Sequence, residues 1–88
     1  MSAPEAPATW HIVAKWDEAA WVVQALEYDI CAQGKTLSTA LANLGHTIEA
    51  EAAFTHHKHG RYFANIDPTP EAVIQDFEDA TRKARGDQ

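Results

Sequence analysis

Alternating apolar and polar positions near the start of the chain predict an antiparallel sheet. Residues 10–16 alternate with the two-residue period of a strand. A second strand is predicted over residues 20–26, and a third over residues 30–33, just before Gly34. The apolar face of the first strand comprises Trp10, Ile12, Ala14 and Trp16. Because both faces of the second strand are partly apolar, we expect one face of the sheet to meet a helix and the other to meet a second subunit.

After Thr36 the apolar spacing changes to three and four residues, which predicts a helix. The Thr36 hydroxyl suits the N-cap, and Gly60 is a natural end for the helix. The predicted buried stripe, with Ala40 beside it, comprises Leu37, Leu41, Leu44, Ile48 and Ala52. We expect this stripe to supply much of the core, so Leu41→Ala should cost about 2–5 kcal/mol.

The remainder of the chain predicts a connection and a second helix. Residues 61–66 fit either a short fourth strand or an ordered loop. Residues 67–70 predict a turn, with Thr69 as the N-cap of the next helix and Pro70 at its first position. The thin apolar side of that helix comprises Val73, Ile74, Phe77 and Ala80.

These patterns together predict an α+β fold, in which a small antiparallel sheet of three or four strands carries a helix packed across it. A second helix follows at the C-terminal end. Residues 1–9 contain two prolines and no apolar period, and we interpret them as a disordered tail. Residues 10–66 form the α+β domain, and residues 67–88 form the turn and an acidic C-terminal helix.

Composition narrows the possible partners. The chain has 88 residues with 13 acidic and seven basic side chains, for a net charge of −6. Nucleic-acid binding is disfavoured, because it requires a basic face, whereas a small basic protein would fit this charge. We expect a soluble, cytoplasmic protein, since the sequence has one cysteine and no apolar run of membrane-spanning length. A domain this small buries little core, so we expect a homodimer or a higher homo-oligomer.

The central segment LEYDICAQGKTL, residues 26–37, continues to Ala40 and Leu41. It resembles the pattern LEYDI-x-AQG-x-TL-x-x-AL of the HicB-like antitoxins, and the likeness covers about residues 10–55. The resemblance implies a fold similar to a double-stranded RNA-binding domain or a degenerate ribonuclease-H-like module. It also implies binding and inhibition of a small HicA-type ribonuclease toxin. Many family members add a DNA-binding domain, for which the turn and helix after residue 60 are too short, so we do not expect operator binding.

Candidate catalytic and metal sites are weak. The histidines closest in spacing are His56, His57 and His59, but no dependable further metal ligand lies nearby in the sequence. Cys31 with His46 would pair a nucleophile with a base, yet Cys31 lies inside a predicted strand. The acidic residues do not show the convergent pattern of a two-metal nuclease. We therefore expect no enzyme activity, no cofactor and no metal.

Two groups of residues are candidates for binding surfaces. Glu27, Tyr28 and Asp29 form an acidic, aromatic segment, which is either a connecting turn or a contact for a basic partner. Trp10, Trp16 and Trp21 are expected in the core or at a subunit interface. The leading hypothesis is a HicB-like protein-binding module that occludes a small basic ribonuclease toxin. The alternative is a stand-alone structural domain that only self-associates.

Overall fold

Three strands and two helices form the α+β fold that the sequence predicts. The structure, a computed structural model, describes residues 9–84. Its elements are β1 (Ile12–Asp17), β2 (Ala20–Ala25), β3 (Ile30–Gly34), α1 (Leu37–His59) and α2 (Glu71–Ala84). All of the predicted tail except Thr9, and the last four residues of the predicted acidic helix, lie outside the described residues. Neither of the described helices combines the length and apolar character needed to cross a membrane.

The sheet is antiparallel throughout, with strand order β1–β2–β3. Directly opposed residues form rows across all three strands, among them the row of Ala14, Val23 and Ala32 and the row of Trp16, Trp21 and Gly34. Side chains two residues apart on a strand lie on the same face, so both rows belong to one face of the sheet. Helix α1 packs on this face, across β3 and β2. We call it the α1 face.

The core lies between α1, the sheet and the loop that follows α1. Its buried cluster comprises Val23, Ile30, Ala40, Leu44 and Phe63. Leu44 and Val23 are the largest side chains that are almost completely removed from solvent. Burial of each large apolar side chain contributes about 1.5–3 kcal/mol, so this cluster is the main source of stability.

Both predicted ends of α1 are confirmed. The Thr36 hydroxyl accepts a hydrogen bond from the backbone N–H of Thr39 at 3.0 Å, which satisfies one of the free donors at the helix start. At the other end Gly60 has φ = 75°, and its N–H donates to the His56 carbonyl oxygen at 2.8 Å. The left-handed conformation is one that glycine adopts without steric cost.

The predicted buried stripe of α1 is wrong at its first two leucines. Leu37 and Leu41 are 38% and 42% exposed, whereas Ala40 is completely buried. The cause is a close approach of α1 to β3, because a Cβ atom added at Gly34 would lie 2.6 Å from the Ala40 backbone nitrogen. Only a small side chain fits where the two backbones meet, so Ala40 faces the sheet and the two leucines remain exposed. Leu41→Ala should therefore cost less than the expected 2–5 kcal/mol.

Residues 61–66 form an ordered loop rather than a fourth strand. Phe63 and Asn65 adopt left-handed backbone conformations, with φ of 58° and 65°. These conformations interrupt the extended backbone that a strand requires. The loop nevertheless contributes to the core, because the Phe63 side chain is only 3% exposed.

Helix α2 packs against β1, the edge strand of the sheet, where it meets Lys15. The predicted N-cap, Thr69, instead bonds to β2: its hydroxyl donates to the Ala25 carbonyl oxygen at 2.5 Å and accepts from Gln24 Nε2 at 3.0 Å. The Pro70 carbonyl oxygen accepts the first helical hydrogen bonds. The helix thus begins at Glu71, because the Thr69 side chain anchors the turn to the sheet.

Candidate functional site

Four large apolar side chains are exposed on the α1 side of the sheet. Ile12 and Trp16 project from this face of β1, which α1 leaves uncovered, and are 42% and 52% exposed. Leu37 and Leu41 lie on the first turns of α1, which approaches the sheet at Gly34, and are 38% and 42% exposed. We call these four side chains the open face. Large apolar side chains that cluster in solvent often mark a surface that binds another molecule.

Trp16 and Trp21 lie at the end of the sheet where β1 turns into β2. They are two of the three tryptophans predicted for the core or a subunit interface. Trp16 and Trp21 are directly opposed on β1 and β2, with ring centroids 5.8 Å apart and planes at 68°. Such an edge-to-face contact holds the two indoles in a defined arrangement while leaving Trp16 accessible. Trp21 is half-buried beneath it.

A cleft of about 550 Å³ adjoins this tryptophan pair. It is formed where the end of the β1–β2 hairpin meets the last turns of α2. Its walls include Ala14, Trp16, Trp21, Ala80, Thr81 and Lys83. The sequence did not predict this cleft, because it depends on the packing of α2 beside β1 and on no local motif.

Lys15 joins α2 to the sheet beside the cleft. Its ammonium group forms an ion pair with the Asp76 carboxylate and lies 4.9 Å from the centre of the Phe77 ring. The Lys15 side chain is 21% exposed, so both contacts are partly shielded from water. The Lys15 ammonium group is therefore already paired within the fold.

The third tryptophan, Trp10, belongs to an aromatic cluster at the opposite end of the sheet. Its ring lies 5.5 Å from that of Phe63, edge to face, and 6.0 Å from that of Tyr28. Tyr28 in turn stacks on Phe63 at 4.6 Å. Trp10 and Tyr28 thus support the core from the side, which differs from the surface position of Trp16.

The predicted acidic contact, residues 27–29, also makes contacts within the fold. Glu27 accepts hydrogen bonds from the His11 backbone N–H at 2.9 Å and from His11 Nδ1 at 2.5 Å. Asp29 accepts one from Gln24 Nε2 at 3.0 Å, and its backbone N–H donates to the Asp67 carbonyl oxygen. Only Asp29 is exposed, so the structure brings the three residues together mainly to hold the turn between β2 and β3.

The contact with His11 changes the acidity of Glu27. Partial burial acts to raise the pKa of this carboxyl group, but the hydrogen bonds from His11 outweigh it. The pKa of Glu27 consequently lies below its ordinary value of 4.5. An ionised Glu27 thus helps to fix the start of β1 against the β2–β3 turn.

The histidines of α1 stand in solvent at the end of the helix. His56 stacks on Tyr62 with ring centroids 4.5 Å apart, and His57 and His59 are exposed. Within residues 9–84, no three side chains of the histidine, cysteine or acidic types are placed to hold a metal ion. A basic group in the last turn is favourable there because it faces the negative end of the helix.

The structure also separates Cys31 from His46. Cys31 pairs with Gln24 and so lies on the face of the sheet away from α1, where it is exposed. His46 is exposed on α1, on the other side of the sheet. These positions do not form a nucleophile and base pair.

The described chain is thus a three-stranded antiparallel α+β domain that carries an apolar surface beside its first helix. Comparison of the sequence and the structure with family models, curated proteins and solved structures finds no match.

Proposed function

We propose that this chain is a HicB-like protein-binding module that inhibits a small basic partner, a ribonuclease toxin, by covering it. The observation that supports the proposal is the open face, where Ile12, Trp16, Leu37 and Leu41 are all at least 38% exposed on one side of the sheet. Removing such side chains from water is a main source of binding energy at protein interfaces. The resemblance of residues 26–37 to the antitoxin pattern suggests the class of partner.

In this proposal, electrostatic attraction brings the two proteins together. A net charge of −6 attracts a basic protein over a distance and increases the rate of encounter. The apolar side chains then supply most of the contact, and inhibition needs no chemical step. The single cysteine suits a reducing compartment, so the proposal places the protein in the cytoplasm.

A second candidate function is self-association through the same surface. Eight apolar residues are buried in the described part of the chain, and three of them are alanines. A domain with so small a core gains much from covering further apolar area in a second copy. This alternative makes the protein a structural module without a different partner.

The test compares one disruptive variant with a matched control. Trp16→Asp places a charge on the open face, whereas Phe54→Asp places one at a 57% exposed site on α1 outside it. The tagged protein and both variants are purified from the native host, and their masses are measured by light scattering. The candidate partner, a small basic protein recovered at a one-to-one ratio, is then assayed for ribonuclease activity.

The proposal expects the parent and Phe54→Asp to inhibit the partner stoichiometrically and Trp16→Asp to fail. Inhibition should also weaken as salt rises, because exposed charges are screened. If the parent elutes only as a defined oligomer that Trp16→Asp dissociates, self-association replaces the toxin proposal. Equal inhibition by all three proteins would exclude the open face as the binding surface.

A further inference from the structure

The cleft beside the tryptophan pair has the size and surface of a small-molecule site. Its volume of about 550 Å³ lies within the range of about 300–1,000 Å³ that is usual for such sites. Trp16 and Trp21 form one wall, and Ala14 and Ala80 extend the apolar surface. The cleft is also partly open to solvent, since Trp16 is 52% exposed.

One unpaired positive charge stands at this cleft. Lys15 is held by Asp76, and the Thr81 hydroxyl donates to the Phe77 carbonyl oxygen at 3.0 Å. Lys83 lies in the last turn of α2 and has no carboxylate partner within residues 9–84. The neighbouring Arg82, by contrast, is paired with Asp79. The Lys83 ammonium is thus the charged group of the cleft that remains available to a ligand.

We propose that this cleft binds a small amphipathic carboxylate, with an aromatic or short aliphatic body and one carboxylate at its end. The body of the ligand packs against the Trp16 and Trp21 rings, where flat apolar groups gain the most contact. Its carboxylate pairs with the Lys83 ammonium at the mouth of the cleft. A neutral ligand of the same shape loses that ion pair, and a cationic one is repelled.

The test uses 4-phenylbutyrate and its neutral amide as probes of the full chain. The indole N–H signals of the ¹⁵N-labelled protein are followed by NMR as each probe is added. Trp10, in the aromatic cluster at the other end of the sheet, serves as an internal control. We expect saturable shifts at Trp16 and Trp21 but not at Trp10, with a dissociation constant on the order of 1 mM or lower.

Lys83→Gln tests the charge, and Lys35→Gln, at an exposed site outside the cleft, is its matched control. The parent and Lys35→Gln should bind the carboxylate about three- to fivefold more tightly than the amide, as expected for an exposed ion pair. Lys83→Gln should bind both probes equally. Because Lys83 is exposed, this variant is expected to fold normally.

Three results would overturn the proposal. The first is an absence of saturable shifts at Trp16 and Trp21, and the second is equal affinity of the parent for the acid and the amide. The third is movement of these two signals when the protein alone is diluted, which would mean that a second copy occupies the cleft. The ligand proposal does not depend on toxin binding, so failure of either leaves the other standing.

Discussion

Trp10, two residues before β1, and Trp16, near the end of β1, occupy opposite environments. The Trp10 ring centroid lies 5.5 Å from that of Phe63 and 6.0 Å from that of Tyr28. These three rings form an aromatic cluster that closes one end of the core. Trp16 contacts Trp21 at 5.8 Å and remains 52% exposed. The loop after α1 passes over the Trp10 end of the sheet and places Phe63 against Trp10.

The comparison shows that residue type alone does not decide burial in this domain. The loop of residues 61–66 covers the Trp10 end, whereas α1 begins beside the Trp16 end and leaves its flank open. The closed end contributes stability, and the open end carries the surface for which we propose binding.

Phe63→Ala should cause the greatest loss of stability. Its side chain is 3% exposed and stacks on Tyr28, so truncation should cost about 3–5 kcal/mol. Trp16→Ala should cost less than about 1 kcal/mol, because half of that side chain is already in water. Urea unfolding at a fixed protein concentration measures both values. Equal losses would mean that the Trp16 end is covered in solution.

Leu44→Ala and Leu41→Ala make the same comparison on α1. Leu44 is 1% exposed, and its truncation should cost about 2–5 kcal/mol. Leu41 is 42% exposed, and the same change there should cost less than about 1 kcal/mol. Thermal or urea unfolding of the two variants measures the difference. A larger cost at Leu41 would show that α1 is rotated relative to the arrangement described above.

Gly34→Ala tests the close contact between Gly34 and Ala40, which sets how α1 is rotated on the sheet. The added methyl group would lie 2.6 Å from the Ala40 nitrogen, so we expect a loss of about 1–3 kcal/mol as α1 shifts. Gly45→Ala is the control, since no atom apart from its chain neighbours and the nearby backbone of the helix lies within 4 Å of the added methyl group. That variant should be more stable by up to about 1 kcal/mol, the difference in helix propensity. The prediction would be contradicted if both variants lost stability or if both gained it.

Glu27 provides the smallest expected effect and tests the closed end by pH. Because its folded pKa lies below 4.5, the ionised group adds stability above its unfolded pKa, and this is lost as pH falls through the folded value. Glu27→Gln should therefore remove part of the decrease in stability below about pH 4.5. Glu49→Gln, at an exposed site on α1, should leave that decrease unchanged. Urea unfolding across this pH range compares the three proteins.

Local interactions explain why much of the fold was predicted correctly. The local sequence pattern places all three strands, and the Thr36 and Gly60 caps act within a few residues of their own positions. Thr69 shows where local reasoning fails. Its hydroxyl has a stronger alternative 44 residues earlier in the chain, at the Ala25 carbonyl oxygen, which no local pattern reveals.

The candidate site was predicted only in part. The sequence names Trp16 and Trp21 as candidates for the core or a subunit interface, whereas it places Leu37 and Leu41, which are exposed, in the core. An apolar residue at helical spacing can lie at the centre of a buried stripe or at its edge, and the period is the same in both cases. No local pattern marked the position of Lys83 at the cleft, since it arises from the approach of α2 to the tryptophan pair.

The sequence by itself determined the strands, the first helix with its two ends and the acidic charge, because these depend on neighbouring residues or on composition. The tertiary structure decided which apolar residues are covered. The close contact of Gly34 with Ala40 sets the rotation of α1, and the return of Phe63 closes one end of the sheet. Both are contacts between distant segments, and their geometry depends on how closely two backbones can approach.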